Sequence, residues 1–182
     1  MLSQFRRRKL SAGFHELDVD GDGRIGNDDI ELLIKNHGDA YGYPEGTAEY
    51  QELAQRTREV WEQLKQFDSD GDGEVGLDEY IAGFAAFLDQ KEAFLGSMDA
   101  LVDAFYAIAD RDRDGRVNEA ELIMHFRAWN HSEAQAREAF PKLDRNDNGG
   151  ISKEEWMANL KEFYYSEDPQ APGNWLAPLP PA

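Results

Sequence analysis

The chain has 182 residues, 37 Asp and Glu against 19 Lys and Arg, a formal net charge of −18 and no cysteine. Such acidity argues against nucleic acid and anionic membrane surfaces as partners, since both require basic patches. The missing cysteines exclude disulfides, thiolate chemistry and zinc-finger spacing. No apolar run approaches the roughly 20 residues that span a bilayer, and no signal-peptide core follows the N-terminal charges. Leu2 follows Met1, so the glycine needed for N-myristoylation is missing, and a soluble, cytoplasmic protein is expected.

The first helix is predicted over about Leu2 to Leu17, with Leu2, Phe5, Leu10, Phe14 and Leu17 on its apolar side and the run Arg6-Arg7-Arg8-Lys9 on a solvated face. An acidic turn from Asp18 to Asp29 follows. A second helix starts near Asn27, carries Ile30, Leu33 and Ile34 at helical spacing, and is expected to end at Gly38. Lys35 to Gly46, punctuated by Gly and Pro, reads as a linker. Thr47 to Phe67 contains neither Gly nor Pro and forms a long third helix, with Val60, Leu64 and Phe67 on one face.

Leu77 to about Leu88 is the fourth helix, with an apolar stripe of Tyr80, Ile81, Phe84, Phe87 and Leu88. Asp89 to Gly96 is expected to break the chain into halves by a tight joint. The next helices are Ser97 to Ala109 (Leu101, Val102, Phe105, Ile108 inward) and Glu119 to Trp129 (Leu122, Phe126, Trp129 inward). Ser132 and Gln135 form a capping box for a helix to about Leu143, in which Pro141 predicts a kink. Lys153 to Tyr164 is the last helix, with Trp156, Leu160 and Phe163 inward. Ser166 to Ala182 holds five of the seven prolines and is not helical throughout.

Between these helices one twelve-residue pattern occurs four times, starting at 18, 68, 110 and 144. The clearest copy, Asp110 to Glu121, places carboxylates at positions 1, 3, 5 and 12 (Asp110, Asp112, Asp114, Glu121) and glycine at position 6. A hard cation such as calcium wants about 6 to 8 oxygens, so a short chain must turn sharply around it and aim alternate side chains inward. Gly115 makes the turn, Arg116 offers its carbonyl, Asn118 reaches the ion directly or through water, and Glu121 closes the shell with two oxygens.

The second copy offers Asp68, Asp70, Asp72, the Glu74 carbonyl and Glu79. The fourth offers Asp144, Asn146, Asn148, the Gly150 carbonyl, Ser152 and Glu155. The first offers Asp18, Asp20, Asp22 and the Arg24 carbonyl but ends in Asp29, where glutamate is usual. A single copy of this kind is often an ordinary Asp-Gly turn; four copies, each flanked by helix-like sequence, are not. The loops resemble those of EF-hands, an all-α arrangement of four hands in two pairs packed into one compact globule. Paired hands share a short two-stranded β link, so Ile25 should meet Val75, and Val117 should meet Ile151.

The expected division is an N-terminal pair over 1–92, a C-terminal pair over 93–165 and a proline-rich tail over 166–182 packing on the globule. Up to four calcium ions are expected, with magnesium possible, above all in the first loop, where the shorter arm of Asp29 favours six-coordination. The four loops hold 20 of the 37 acidic residues. Calcium therefore relieves repulsion that opposes compaction.

Four loops, their uneven spacing and the tail D-P-Q-A-P-G-N-W over Asp168 to Trp175 together resemble the sarcoplasmic calcium-binding protein family and its bacterial relatives of the calerythrin type. The resemblance implies a cytosolic calcium buffer with some magnesium binding, monomeric and without an obligate protein partner. Family members commonly carry one or more degenerate loops, whereas here three match the full pattern and the fourth misses by one methylene.

A sensor that opens a groove for a target helix is the alternative. Such grooves are rich in methionine, and 4 Met against 21 aromatic residues suit a fixed core better. A third reading is a carrier whose Trp61, Trp129, Trp156, Trp175, Tyr106 and Tyr164 line a cavity for a luciferin-type molecule, against the simpler reading that buried aromatics just pack. Of the histidines, His15, His37, His125 and His131, His37 and His131 are expected at solvated helix ends. No Ser/His/Asp set, phosphate loop or H-E-x-x-H motif is present, so no catalysis is expected.

Overall fold

The computed structural model describes residues 2–177 and 179. Pro178, Pro180, Pro181 and Ala182 of the tail, and the side chain of Leu101, lie outside the described residues. The chain divides into two units, Met1–Lys91 and Glu92–Ala182.

In the first unit, α1 (Gln4–Leu17) starts where the Ser3 hydroxyl accepts the Arg6 N–H at 3.1 Å. The link strand β1 (Arg24–Ile25) leads to α2 (Asn27–Tyr41). After a turn through Pro44 comes α3 (Ala48–Leu64), capped by Thr47 and closed by one turn of 3-10 helix, Lys65–Phe67. β2 (Val75–Gly76) and α4 (Leu77–Asp89) complete the unit. β1 pairs antiparallel with β2, Ile25 opposite Val75, and neither side chain is exposed. α1 packs on α4 and α2 on α3. The core between them contains Leu10, Phe14, Ile34, Leu53 and Trp61, whose indole N–H reaches the Asn27 side chain at 2.8 Å.

The second unit repeats the plan: α5 (Lys91–Ala109), β3 (Arg116–Val117), α6 (Glu119–Ala128), α7 (Glu133–Leu143), β4 (Ile151–Ser152) and α8 (Lys153–Tyr165). Val117 faces Ile151, as the spacing of the loops predicts. The core gathers Val102, Leu122, Phe126, Ala136, Leu143 and Trp156. The Ser132–Gln135 capping box forms, and α7 carries Pro141 through its last turn.

Where the structure departs from the sequence reading, long-range contacts are the cause. α2 does not end at Gly38 but continues to Tyr41, and Gly42 ends it in the left-handed conformation (φ 67°). Gly38 serves another purpose: a Cβ there would lie 2.7 Å from the Tyr50 ring of α3. The expected linker thus shrinks, and its first residues, Lys35 to Tyr41, are helical. The joint expected over Asp89 to Gly96 is narrower still, because α5 begins at Lys91 and Gly96 lies inside it.

Lys9, expected on a solvated face, is 2% exposed, with its ammonium 4.7 Å from the Phe5 ring centroid. His37 is also buried, contrary to expectation, with Nδ1–H donating to the Leu33 carbonyl at 2.9 Å. Burial lowers its pKa to about 4, despite that bond. The folded chain therefore keeps His37 neutral while the unfolded chain takes up a proton below about pH 6.5. Stability present at neutral pH should fall between pH 6.5 and 4, by roughly 3 kcal/mol from this residue. Urea unfolding of wild type and His37→Leu at pH 7 and pH 4 checks this. The wild type should lose that much more than the variant, and equal losses would remove His37 from the account.

Within the described part of the tail, Pro172–Trp175 forms a 3-10 turn against α7 and α8, and Trp175 and Leu176 pack on the second unit's core.

Candidate metal centres

All four loops share one backbone conformation, dictated by position. The position-6 glycines, Gly23, Gly73, Gly115 and Gly149, have φ between 87° and 92°, where a Cβ is costly. Position 4 is left-handed as well, as Gly21 and Gly71 in the first unit but as Arg113 and Asp147 in the second.

Side-chain oxygens knit each turn from within. The position-1 carboxylate accepts the position-6 N–H in every loop: Asp18 from Gly23 (3.1 Å), Asp68 from Gly73 (2.9 Å), Asp110 from Gly115 (3.0 Å), Asp144 from Gly149 (2.8 Å). Position 5 accepts the position-7 N–H: Asp22 from Arg24, Asp72 from Glu74, Asp114 from Arg116, Asn148 from Gly150. Position 3 accepts the position-5 N–H in the first three loops, through Asp20, Asp70 and Asp112. In the fourth the Asn148 N–H goes to Asp144, so Asn146 is not used this way.

The position-12 carboxylate spans the loop. Glu121 accepts the Arg111 (2.9 Å) and Asp112 (3.2 Å) amides on one oxygen and the Asn118 amide (3.0 Å) on the other. Glu155 does the same with Arg145, Asn146 and Ser152. Glu79 holds Ser69 and Gly76. Asp29, one methylene shorter, still collects Val19 (2.7 Å), Asp20 (3.1 Å) and Gly26 (2.8 Å). Entry and exit of each loop are thereby fastened to one side chain. The Gly76 amide first, then the Ser69 hydroxyl and amide, hold the Glu79 carboxyl down to about 2, so it is ionised throughout the physiological range.

These bonds bring the ligand candidates together. Carboxylate oxygens of Asp18, Asp20 and Asp22 lie within 4.8 Å of one another, as do those of Asp68, Asp70 and Asp72, and of Asp110, Asp112 and Glu121. Asp18 Oδ1 and Asp110 Oδ1 are buried and accept no hydrogen bond. A buried carboxylate oxygen without a donor is costly, and converging anionic oxygens repel, so the donor set fits a hard cation that compensates both. The side chains of Asn118 and Ser152 cap α6 and α8: Asn118 Oδ1 accepts the Ala120 and Glu121 amides, and Ser152 Oγ the Glu155 amide.

Helix, acidic loop, β link and helix, twice in each unit, are the parts of paired EF-hands. A family model described as an EF-hand domain pair matches residues 7–85, and a second, described as EF hand, matches 137–161. Both matches are to EF-hand models, one in each unit. It is 28% identical over 160 residues to calerythrin of Saccharopolyspora erythraea, covering 86% of this chain and 90% of calerythrin. Among solved structures it superposes on a sarcoplasmic calcium-binding protein from amphioxus with a TM-score of 0.75, at 17% identity over 99% of this chain and 100% of that one. The coelenterazine-binding protein of Renilla muelleri gives 0.76 at 22%, covering 97% and 98%. At such identities these two establish fold alone. The calerythrin-like resemblance, the four-hand fold and calcium binding thus stand on the relatives together with the loops themselves.

Three side chains act where the loop pattern gave no signal. Tyr106 donates its hydroxyl hydrogen within reach of the Gly115 carbonyl (2.8 Å) and the Ile151 carbonyl (3.1 Å), tying α5 to both loops of its pair. Burial, with Asp110 nearby, raises its pKa. Arg145, at position 2 of the last loop, donates to Asn159 (2.8 Å) and Glu162 (2.7 Å). Glu162 in turn accepts the Gly173 amide at 2.8 Å, which joins the loop to the tail. Arg24 of the first loop donates through Nη1 to Asp72 and, at 3.2 Å, to Glu74 of the second.

Proposed function

We propose that this EF-hand protein is a cytosolic calcium buffer that works as a monomer, without an obligate partner and without catalytic activity. Its ligands are the position-1, -3, -5 and -12 side chains of the four loops, with the carbonyls of Arg24, Glu74, Arg116 and Gly150. Positions 118 and 152 act through water, since their side-chain oxygens already cap helices. Magnesium competes best at 18–29, where Asp29 replaces glutamate.

The observation that carries the buffer reading is the filled apolar surface. A sensor must have a groove to offer on loading. Here the tail is seated on α7 and α8, with Trp175 and Leu176 against the core. Leu32, at 39%, is the only large hydrophobic side chain exposed among the described residues. The similarity to calerythrin, over 86% of this chain, supports the same reading.

A hydrophobic dye titrated against the protein with calcium and then with chelator separates the readings. Dye fluorescence should be lower with calcium than with chelator, because loading tightens the packing. A rise on calcium addition would instead make the protein a sensor.

A further inference from the structure

Arg24 and Arg116 occupy the same position, the seventh, in the first loop of their respective pairs, and both offer only a backbone carbonyl to their own loop. Their side chains meet different partners across the β link. Arg24 donates to Asp72 Oδ2 and to Glu74 Oε2 (3.2 Å) in the second loop. Opposite Arg116, by contrast, the fourth loop carries Asn148 and Gly150 at the same two positions, neither of them charged. A Cβ on Gly150 would lie 2.9 Å from the Arg116 Cβ, so the arginine stem passes over that glycine.

Which oxygen Arg24 holds matters. Asp72 Oδ1 is engaged by the Glu74 amide at 3.0 Å, which leaves Oδ2 free of backbone bonds in a carboxylate whose oxygens cluster with those of Asp68 and Asp70. That oxygen is the one that carries the guanidinium.

We propose that Arg24 sets the calcium affinity of the neighbouring loop, acting as a tethered cation that an incoming ion must displace from Asp72. This rests on the calcium reading of the loops. The Arg24 side chain is 50% exposed and that of Asp72 35%, so the pair itself is weak. A positive charge held within a few ångströms of a divalent ion adds a repulsion that water only partly screens. Together they predict a loss of affinity on the order of 3- to 10-fold at this one loop. The first loop keeps its ligand whatever the side chain, because that ligand is the backbone carbonyl of residue 24.

Calorimetric calcium titrations of Arg24→Gln, Arg58→Gln and wild type test it. Arg24→Gln should tighten one class of site by about 3- to 10-fold and weaken its dependence on added KCl. Arg58→Gln removes a cation of the same unit that pairs with Glu31, outside every loop, and should change no site by more than about 2-fold. In a Glu79→Gln background, where the second loop is disabled, the gain from Arg24→Gln should vanish. No gain in Arg24→Gln, an equal gain in Arg58→Gln, or a gain that survives Glu79→Gln would overturn the proposal. Calcium uptake by wild type in the same experiment tests the loop reading separately.

Discussion

Glu121→Gln should cost one calcium site on the order of 100-fold in affinity, about 2.7 kcal/mol. The carboxylate is 3% exposed and both its oxygens are committed, one to the Arg111 and Asp112 amides and the other to the Asn118 amide. An amide side chain of the same shape can present an acceptor to only one of those two groups. Its NH2 then faces either backbone donors or the cation, and each is repulsive. The loop also loses one of the negative charges that attract the cation. A calcium titration should lose one high-affinity step while the rest of the isotherm survives; an unchanged isotherm would remove Glu121 from the site.

Gly173→Ala should undock the tail. A Cβ there would lie 2.2 Å from the Asn159 carbonyl oxygen and 2.8 Å from the Phe163 nitrogen, both backbone atoms of α8 that cannot step aside. The turn would have to lift, breaking the Gly173 amide's bond to Glu162 and withdrawing Trp175 and Leu176 from the core. The expected loss is about 2 to 4 kcal/mol in urea unfolding of the calcium-loaded protein, with dye fluorescence above that of the loaded wild type. Trp175→Ala leaves the turn its room and should lose less stability while still binding dye. A Gly173→Ala protein with wild-type stability and wild-type dye fluorescence would mean that the tail does not cover this surface.

The loops were legible because ion geometry writes itself into sequence. Alternate oxygens, a position-6 glycine and an apolar position-8 residue are each required locally, so Ile25–Val75 and Val117–Ile151 followed from the pattern alone. What escaped depends on residues distant in the chain. Gly38 and Gly42 look alike as helix stops, yet one meets Tyr50 and the other is the cap. Gly96 follows a polar stretch that resembles a joint, but α5 runs through it. Lys9 and His37 are polar residues whose helices happen to turn them inward. The Arg24–Asp72 contact crosses 48 positions, and nothing in either loop's own pattern announces it.

The electrostatic part of the account makes the widest claim. Acidic loops are preformed by their own hydrogen bonds, and divalent ions then cancel the charge that opposes close packing. Calorimetric titration of the decalcified protein with calcium, with and without millimolar magnesium, tests that claim most directly. The account predicts saturable uptake at micromolar free calcium by at least the three acidic clusters, with magnesium weakening one class of site most. Heat of dilution alone across that range would contradict it.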